Sequence, residues 1–270
     1  MKPDSFPPTY KFKKLNLKKR GPPPLVNLIY SAENVEELKQ LFAGITERDR
    51  RRIKEKTKDQ SHSPHWFLYR KCCVTGTLAK RIVSAIQHQK PSIPLNKAIS
   101  KFGQGNFSNE AMKYGLDNEK NGIDALWKEF KKAHKTPKLH KTGICIHKNL
   151  PFLAGTPDCI LSCENCCSSE VKYFIGEIKC PFRLRDSGIG GWKTLEYLTE
   201  NSELKQSHPY YFQQTLYCGL NNASLCYFVI WAPDGNIILE IKFDKDLYNL
   251  IESSAEKYFY EYYAPQFYRK

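Results

Sequence analysis

No apolar run in this 270-residue sequence approaches the ~20 residues that a membrane-spanning helix requires, so no membrane partner is expected. An apolar signal core is missing too. Met1 to Arg20 is polar, prolyl and basic, which predicts an intracellular protein, nuclear or cytoplasmic. The ten cysteines are therefore expected as reduced thiols. Cys163-x-x-Cys166, flanked by Cys159 and Cys167, has zinc-ligand spacing, but no second Cys or His pair follows at a matching interval. Core packing and a cysteine-bearing hairpin tip are the leading expectation there, with zinc the alternative. Gly103-x-Gly105 has no strand-to-helix context and carries no cofactor meaning. Nothing fits a Ser/His/Asp hydrolase or a phosphate-cradling nucleotidase. Acidic residues are scarce: 28 Asp+Glu face 42 Lys+Arg, a formal net charge of +14. That excess implies an anionic partner, nucleic acid first, with salt-sensitive binding.

What is present centres on Gly155 to Pro181. Val171 to Cys180 alternates as a strand, which places Val171, Tyr173, Ile175, Glu177 and Lys179 on one face and Phe174 and Ile178 on the other. A turn-bearing segment, 162–170, can bring Asp158 alongside on a neighbouring strand. Two carboxylates and an ammonium at this spacing suit metal-dependent phosphodiester cleavage, since carboxylates hold a hard divalent cation beside the attacking water. The pattern alone is weak. Glu240-Ile241-Lys242 repeats it, but 237, 239, 241 and 243 form an apolar inner face that leaves Glu240 and Lys242 in solvent.

Other residues converge on the first copy. The three/four spacing over 108–130 predicts a helix with Met112, Leu116, Ile123, Leu126 or Trp127, and Phe130 facing the core. Glu119 falls on that stripe, where a carboxylate needs a cation or a buried salt bridge. Gly115, one turn earlier, leaves room for a close approach. Gln213 stands likewise on the inner face of a helix over 210–220; it is either site-directed or a buried amide satisfied by backbone. Arg70 and the hydroxyls of Thr75-Gly76-Thr77, at the start of a helix over 78–87, suit a phosphate; the plainer alternative is an N-cap and a surface arginine.

Elsewhere, residues 1–24 read as a basic arm, either a solvated linker or an import or DNA-contacting segment. Half of the charge excess, +7, lies in residues 1–60. Ser31 is expected to cap a helix over 32–43 closed by Gly44, and 47–58 is a solvated helix or a linker. A helix starts at Ser63-Pro64, 91–107 reads as loop, 144–146 as an initial strand, 225–243 as a hairpin and 244–263 as a closing helix.

Trp66-x-x-x-Arg70 through Thr77, Gly115-x-x-x-Glu119, Thr156-Pro157-Asp158, Glu177-Ile178-Lys179-Cys180-Pro181 and Tyr210-Tyr211-x-Gln213 together resemble, in order, the motifs of the lambda exonuclease and YqaJ-type viral recombinase family. The coverage is about 60–241. The resemblance implies a PD-(D/E)xK nuclease of restriction-endonuclease-like α/β fold, a mixed central sheet flanked by helices, over 60–270, with 1–59 a basic, partly disordered extension containing a short helix. It implies that Glu119, Asp158, Glu177 and the Ile178 carbonyl hold Mg²⁺ or Mn²⁺. Lys179 would orient or activate the water, Gln213 would support the site, and Arg70, Thr75 and Thr77 would receive a 5′-phosphate. The implied activity is exonucleolytic cleavage of double-stranded DNA with free ends, in recombination or repair. A homo-oligomer, as in ring-forming relatives, and a recombination partner protein stay open. So do an endonuclease and a weakly catalytic DNA- or protein-binding module of the same fold. Cys159 replaces the family's glycine after the aspartate, a change expected to narrow the site.

Overall fold

A computed structural model of the chain describes residues 23–100, 109–164 and 171–268. Three helices come first: α1 (Leu25–Ser31), α2 (Val35–Ala43) and α3 (Glu47–Lys56). The α2 cap is Asn34, whose side chain accepts the Glu37 N–H at 2.9 Å, so the helix starts three residues later than Ser31 would have set it. A capping box of Thr46 and Asp49 starts α3. These helices do not stand apart from the rest. Leu25, Leu28, Ile29, Leu38, Phe42 and Ile53 are buried in one cluster with Ile82, Phe152, Ile251 and Phe259. The compact packing expected from residue 60 thus already includes 25–56, because a single apolar face on each helix suffices to dock it. The basic-arm reading of residues 1–22 lies outside the described residues.

Next come α4 (Pro64–Arg70), α5 (Gly76–Gln87), α6 (Ile93–Ser100) and the long α7 (Glu110–Ala133). The stretch read as loop over 91–107 contains α6: Ser92 Oγ accepts the Leu95 N–H at 3.3 Å, and Leu95 and Ile99 are buried. Strands β1 (Lys138–His140), β4 (Cys159–Cys163), β5 (Lys172–Lys179), β6 (Leu225–Ala232) and β7 (Gly235–Lys242) form one sheet in the order β1-β4-β5-β6-β7. A separate ribbon pairs β2 (Cys145–Ile146) with β3 (Ala154–Gly155). All pairs in the main sheet are antiparallel except β5–β6, whose crossover contains the short α8 (Leu184–Ser187) and α9 (Pro209–Asn221).

The strand alternation is observed as expected. Phe174 and Ile178 join Leu126 and Phe130 of α7 on one face, while Ile175 joins Tyr217 and Cys218 of α9 on the other. The closing helix α10 (Lys245–Tyr258) packs with α5 and α9 in an outer helical layer. Glu240 and Lys242 are exposed, in keeping with the bland reading of the second Glu-x-Lys. Among the described residues no helix is long and apolar enough to cross a membrane.

The core stripe of α7 is half wrong as read from periodicity. Leu126 and Phe130 are buried, but Met112 is 60% and Leu116 49% exposed, because the first turns of α7 run beyond the sheet. The tight glycine is also a different one. At Gly115 an added Cβ would come no closer than 4.0 Å to the Cys180 carbonyl, whereas at Gly122 it would lie 2.3 Å from Ile178 Cγ2. Gly122 is where α7 touches β5.

Candidate active site

The site lies at the C-terminal end of β5, where elements from both faces of the sheet meet. Glu177 is 2% exposed. Its Oε1 accepts from Lys179 Nζ at 2.7 Å and from Gln213 Nε2 at 3.0 Å, so the polar residue on the inner face of α9 is satisfied by a carboxylate and not by backbone. Gln213 Nε2 also meets the Tyr217 hydroxyl at 2.9 Å, one turn along α9. Glu177 Oε2 is buried with no hydrogen-bond partner among the described residues. Asp158, just before β4, turns Oδ2 to the Ile178 N–H at 2.6 Å.

Three carboxyls share one electrostatic environment. Burial, then the charge of Glu177, raises the Asp158 carboxyl well above the ordinary aspartate value. Burial and then Glu177 also raise Glu119, with Lys179 and His62 opposing. For Lys179 burial acts against the charge, but Glu177, Asp158 and Tyr210 outweigh it and hold the ammonium above its ordinary value. Its Nζ sits 4.7 Å from the Tyr210 ring centroid.

A divalent cation is tested by this donor set. Hard carboxylate oxygens are the right ligands for Mg²⁺ or Mn²⁺, and an orphaned buried oxygen beside two further carboxylates is what a bound cation satisfies. The carboxylates are not closed into a cage. Among the described residues no group of three or more His, Cys, Asp and Glu is arranged to hold a metal ion. Instead Asp158 and Glu177 Oε1 are occupied by protein donors.

Arg70 on α4 is 7% exposed, its guanidinium 4.0 Å from the Trp66 ring centroid, and burial pulls it down to about 10 against the upward pull of Tyr217, Cys73 and Glu177. Trp66 Nε1 in turn donates to Thr156 Oγ1 at 3.2 Å, two residues before Asp158. Thr75, not Thr77, is the N-cap of α5. Its hydroxyl makes no cap bond and lies 3.1 Å from the Thr77 hydroxyl. Thr75 is buried and Thr77 exposed. An added Cβ at Gly76 would stand 2.8 Å from Gln213 Cγ, so the N-terminus of α5 abuts the residue that holds Glu177. Hydrogen bonds tie Lys179 and Gln213 to Glu177 and Asp158 to the Ile178 backbone, and the Thr75–Thr77 turn abuts Gln213 through Gly76; Glu119 and Arg70 are related to Glu177 through its charge.

Cys159 does not narrow the site. It packs on the α7 face, paired across from Gly176, where an added Cβ would fall 2.4 Å from its sulfur. Cys163 is buried as well; Cys166 and Cys167 lie outside the described residues. Sequence reasoning missed Tyr217 and Gln60, whose Nε2 donates to the Pro157 and Thr142 carbonyls at 3.2 Å each. Tyr217 was findable, four residues after Gln213 on the same helix face. Gln60, in a polar stretch, carried no signal.

No family model matches the chain, and no curated protein does. Solved structures do. The alkaline exonuclease LHK-Exo from Laribacter hongkongensis is 18% identical with a TM-score of 0.55, over 76% of this chain and 95% of that one. The shutoff and exonuclease protein of Kaposi's sarcoma-associated herpesvirus is 10% identical with a TM-score of 0.56, over 94% and 88%. A SOX–DNA complex gives 10% and 0.54, over 91% and 81%. At these identities the likeness is one of fold: the mixed sheet with flanking helices is the fold of these nucleases.

Proposed function

We propose that this chain is a divalent-metal-dependent DNA exonuclease that hydrolyses phosphodiester bonds from the 5′ ends of linear duplex DNA. The observation that carries the reading is Glu177. It is a buried carboxylate with one oxygen fixed by Lys179 and Gln213 and the other unpartnered, facing the shared field of Asp158 and Glu119. Neighbours of the same fold that are named as exonucleases, and a SOX protein solved in complex with DNA, support it.

In this reading Glu119, Asp158, Glu177 and the Ile178 carbonyl hold Mg²⁺ or Mn²⁺, which supplies Lewis acidity toward the phosphoryl oxygens. Lys179 places its ammonium beside the attacking water and the charge that develops in the transition state. Gln213, braced by Tyr217, keeps Glu177 in one rotamer. Arg70 and the Thr75 and Thr77 hydroxyls, at the N-terminus of α5, receive the 5′-phosphate.

The test is digestion of a 5′-phosphorylated linear duplex in Mg²⁺ or EDTA. Wild type shortens the duplex only with Mg²⁺ and leaves covalently closed circles intact, and Asp158→Asn loses at least ~100-fold in rate. Unchanged cleavage by Asp158→Asn sinks the proposal. A second expectation needs no turnover. Mg²⁺ raises the melting temperature of wild type, by up to about 2.7 kcal/mol of stabilisation at a hundredfold excess over its Kd. Glu177→Gln loses most of that shift. Equal shifts in both proteins would place the cation elsewhere.

A further inference from the structure

Away from the catalytic cluster, a cavity of about 420 Å³ opens between α3, the β2 segment and the C-terminal end of α9. Arg50, Arg51, Lys54 and Lys148 line it against a single lining carboxylate, Glu47. Arg50 is held rigidly. Its side chain is 13% exposed, and Nη1 donates to the Ile45 and Lys148 carbonyls at 3.1 and 3.2 Å while Nε and Nη2 grip Glu47. Arg51 leans on the same Glu47 at 3.2 Å, so one negative charge is shared by two arginines. Lys54 meets a neutral oxygen, Asn221 Oδ1, at 3.4 Å. The lining thus has surplus positive charge on a preformed framework.

The segment that follows α3 reaches toward the proposed cleft. Thr57 Oγ1 accepts the Ile144 N–H at 2.8 Å, and Gln60 binds the Pro157 carbonyl beside Asp158. From Arg50 to Lys56, the last residue of α3, the helix advances about 9 Å at 1.5 Å per residue, roughly 2–3 nucleotides of one strand at 3.4 Å each. Lys58, ion-paired with Glu55 at 2.7 Å, extends the row.

We propose that α3 and this cavity form a track for the phosphodiester backbone of duplex DNA, guiding it to the cleft at Asp158. The inference rests on the nuclease reading of that cleft and adds where the undigested duplex is held. Such contacts position the duplex without reading its sequence.

The experiment is fluorescence anisotropy of a labelled linear duplex over a salt series in EDTA, with the triple variant Arg51→Ala/Lys54→Ala/Lys148→Ala. Its affinity falls about tenfold near 0.1 M salt. The slope of log K against log salt shrinks by roughly 2–3, since each phosphate that the protein no longer neutralises takes away about 0.9. The charge-conserving triple Arg51→Lys/Lys54→Arg/Lys148→Arg keeps both. Unchanged affinity and slope in a folded alanine triple overturn the track, as does an equal loss in the charge-conserving one. Binding in EDTA is independent of cleavage. A wild type that binds through these residues but never cleaves with Mg²⁺ therefore overturns the nuclease reading and leaves the track standing.

Discussion

Lys179→Ala reduces single-turnover cleavage of a 5′-phosphorylated duplex on the order of 10³-fold, the cost of removing a preorganised charge from a developing anion. The side chain has little freedom: Nζ is 2.7 Å from Glu177 Oε1 and over the Tyr210 ring. Glu177 and Asp158 favour its charged form against the cost of burial, so the loss appears in the rate of chemistry. Lys179→Met, which keeps most of the volume, loses as much as Lys179→Ala. Rapid-quench kinetics with saturating enzyme separate this from binding, which is followed by anisotropy in EDTA. If cleavage persists while the variant stays folded, the ammonium serves only to neutralise Glu177.

Gly122→Val disrupts the seam between α7 and β5. The new Cβ would sit 2.3 Å from Ile178 Cγ2 and 3.5 Å from Trp231 Cβ, and a β-branched isoleucine in a central strand cannot swing aside. Overpacking of this kind costs about 1–3 kcal/mol, a drop of roughly 2–4 °C in Tm per kcal/mol for a chain of this size. Activity falls further than stability, because α7 carries Glu119 one turn away and must lift from the strand end. Adding Ile178→Ala vacates the clashing methyl and keeps the backbone carbonyl. The double variant is more stable than the sum of the single effects predicts, and a double-mutant cycle in thermal melts measures the difference. Strict additivity would mean that the two residues do not meet.

The catalytic strand was legible because period-two alternation assigns Glu177 and Lys179 to one face without any tertiary knowledge. Gln213 was legible as a polar residue on an apolar face, which only a paired group tolerates, and it is paired with Glu177; Glu119 was singled out by the same argument and stands half-buried. The same reasoning misjudged Met112 and Leu116. Periodicity identifies a helix face but not how far the sheet beneath it extends. Glycines show a similar limit: Gly115 and Gly122 look alike in sequence, and only the crossing of α7 over β5 distinguishes them. The helices over 25–56 were undervalued because α3 offers Ile53 almost alone among charges, and its docking depends on Thr57 meeting Ile144 far along the chain. That pairing leaves no local trace.

The parallel pairing of β5 with β6 has a consequence for the order of assembly. β5 ends at Lys179 and β6 begins at Leu225, and the intervening crossover holds α9 with Gln213. Closing such a connection needs long-range contacts before any ladder bond repays the lost chain entropy, which makes it a slow step in folding. A nascent chain that has emerged only through β5 has Glu119, Asp158, Glu177 and Lys179, yet neither the amide that braces Glu177 nor the strand that flanks it. Under the proposed function, catalytic competence is therefore among the last properties the chain acquires, and an unfinished copy carries the proposed acidic ligands without the means to use them.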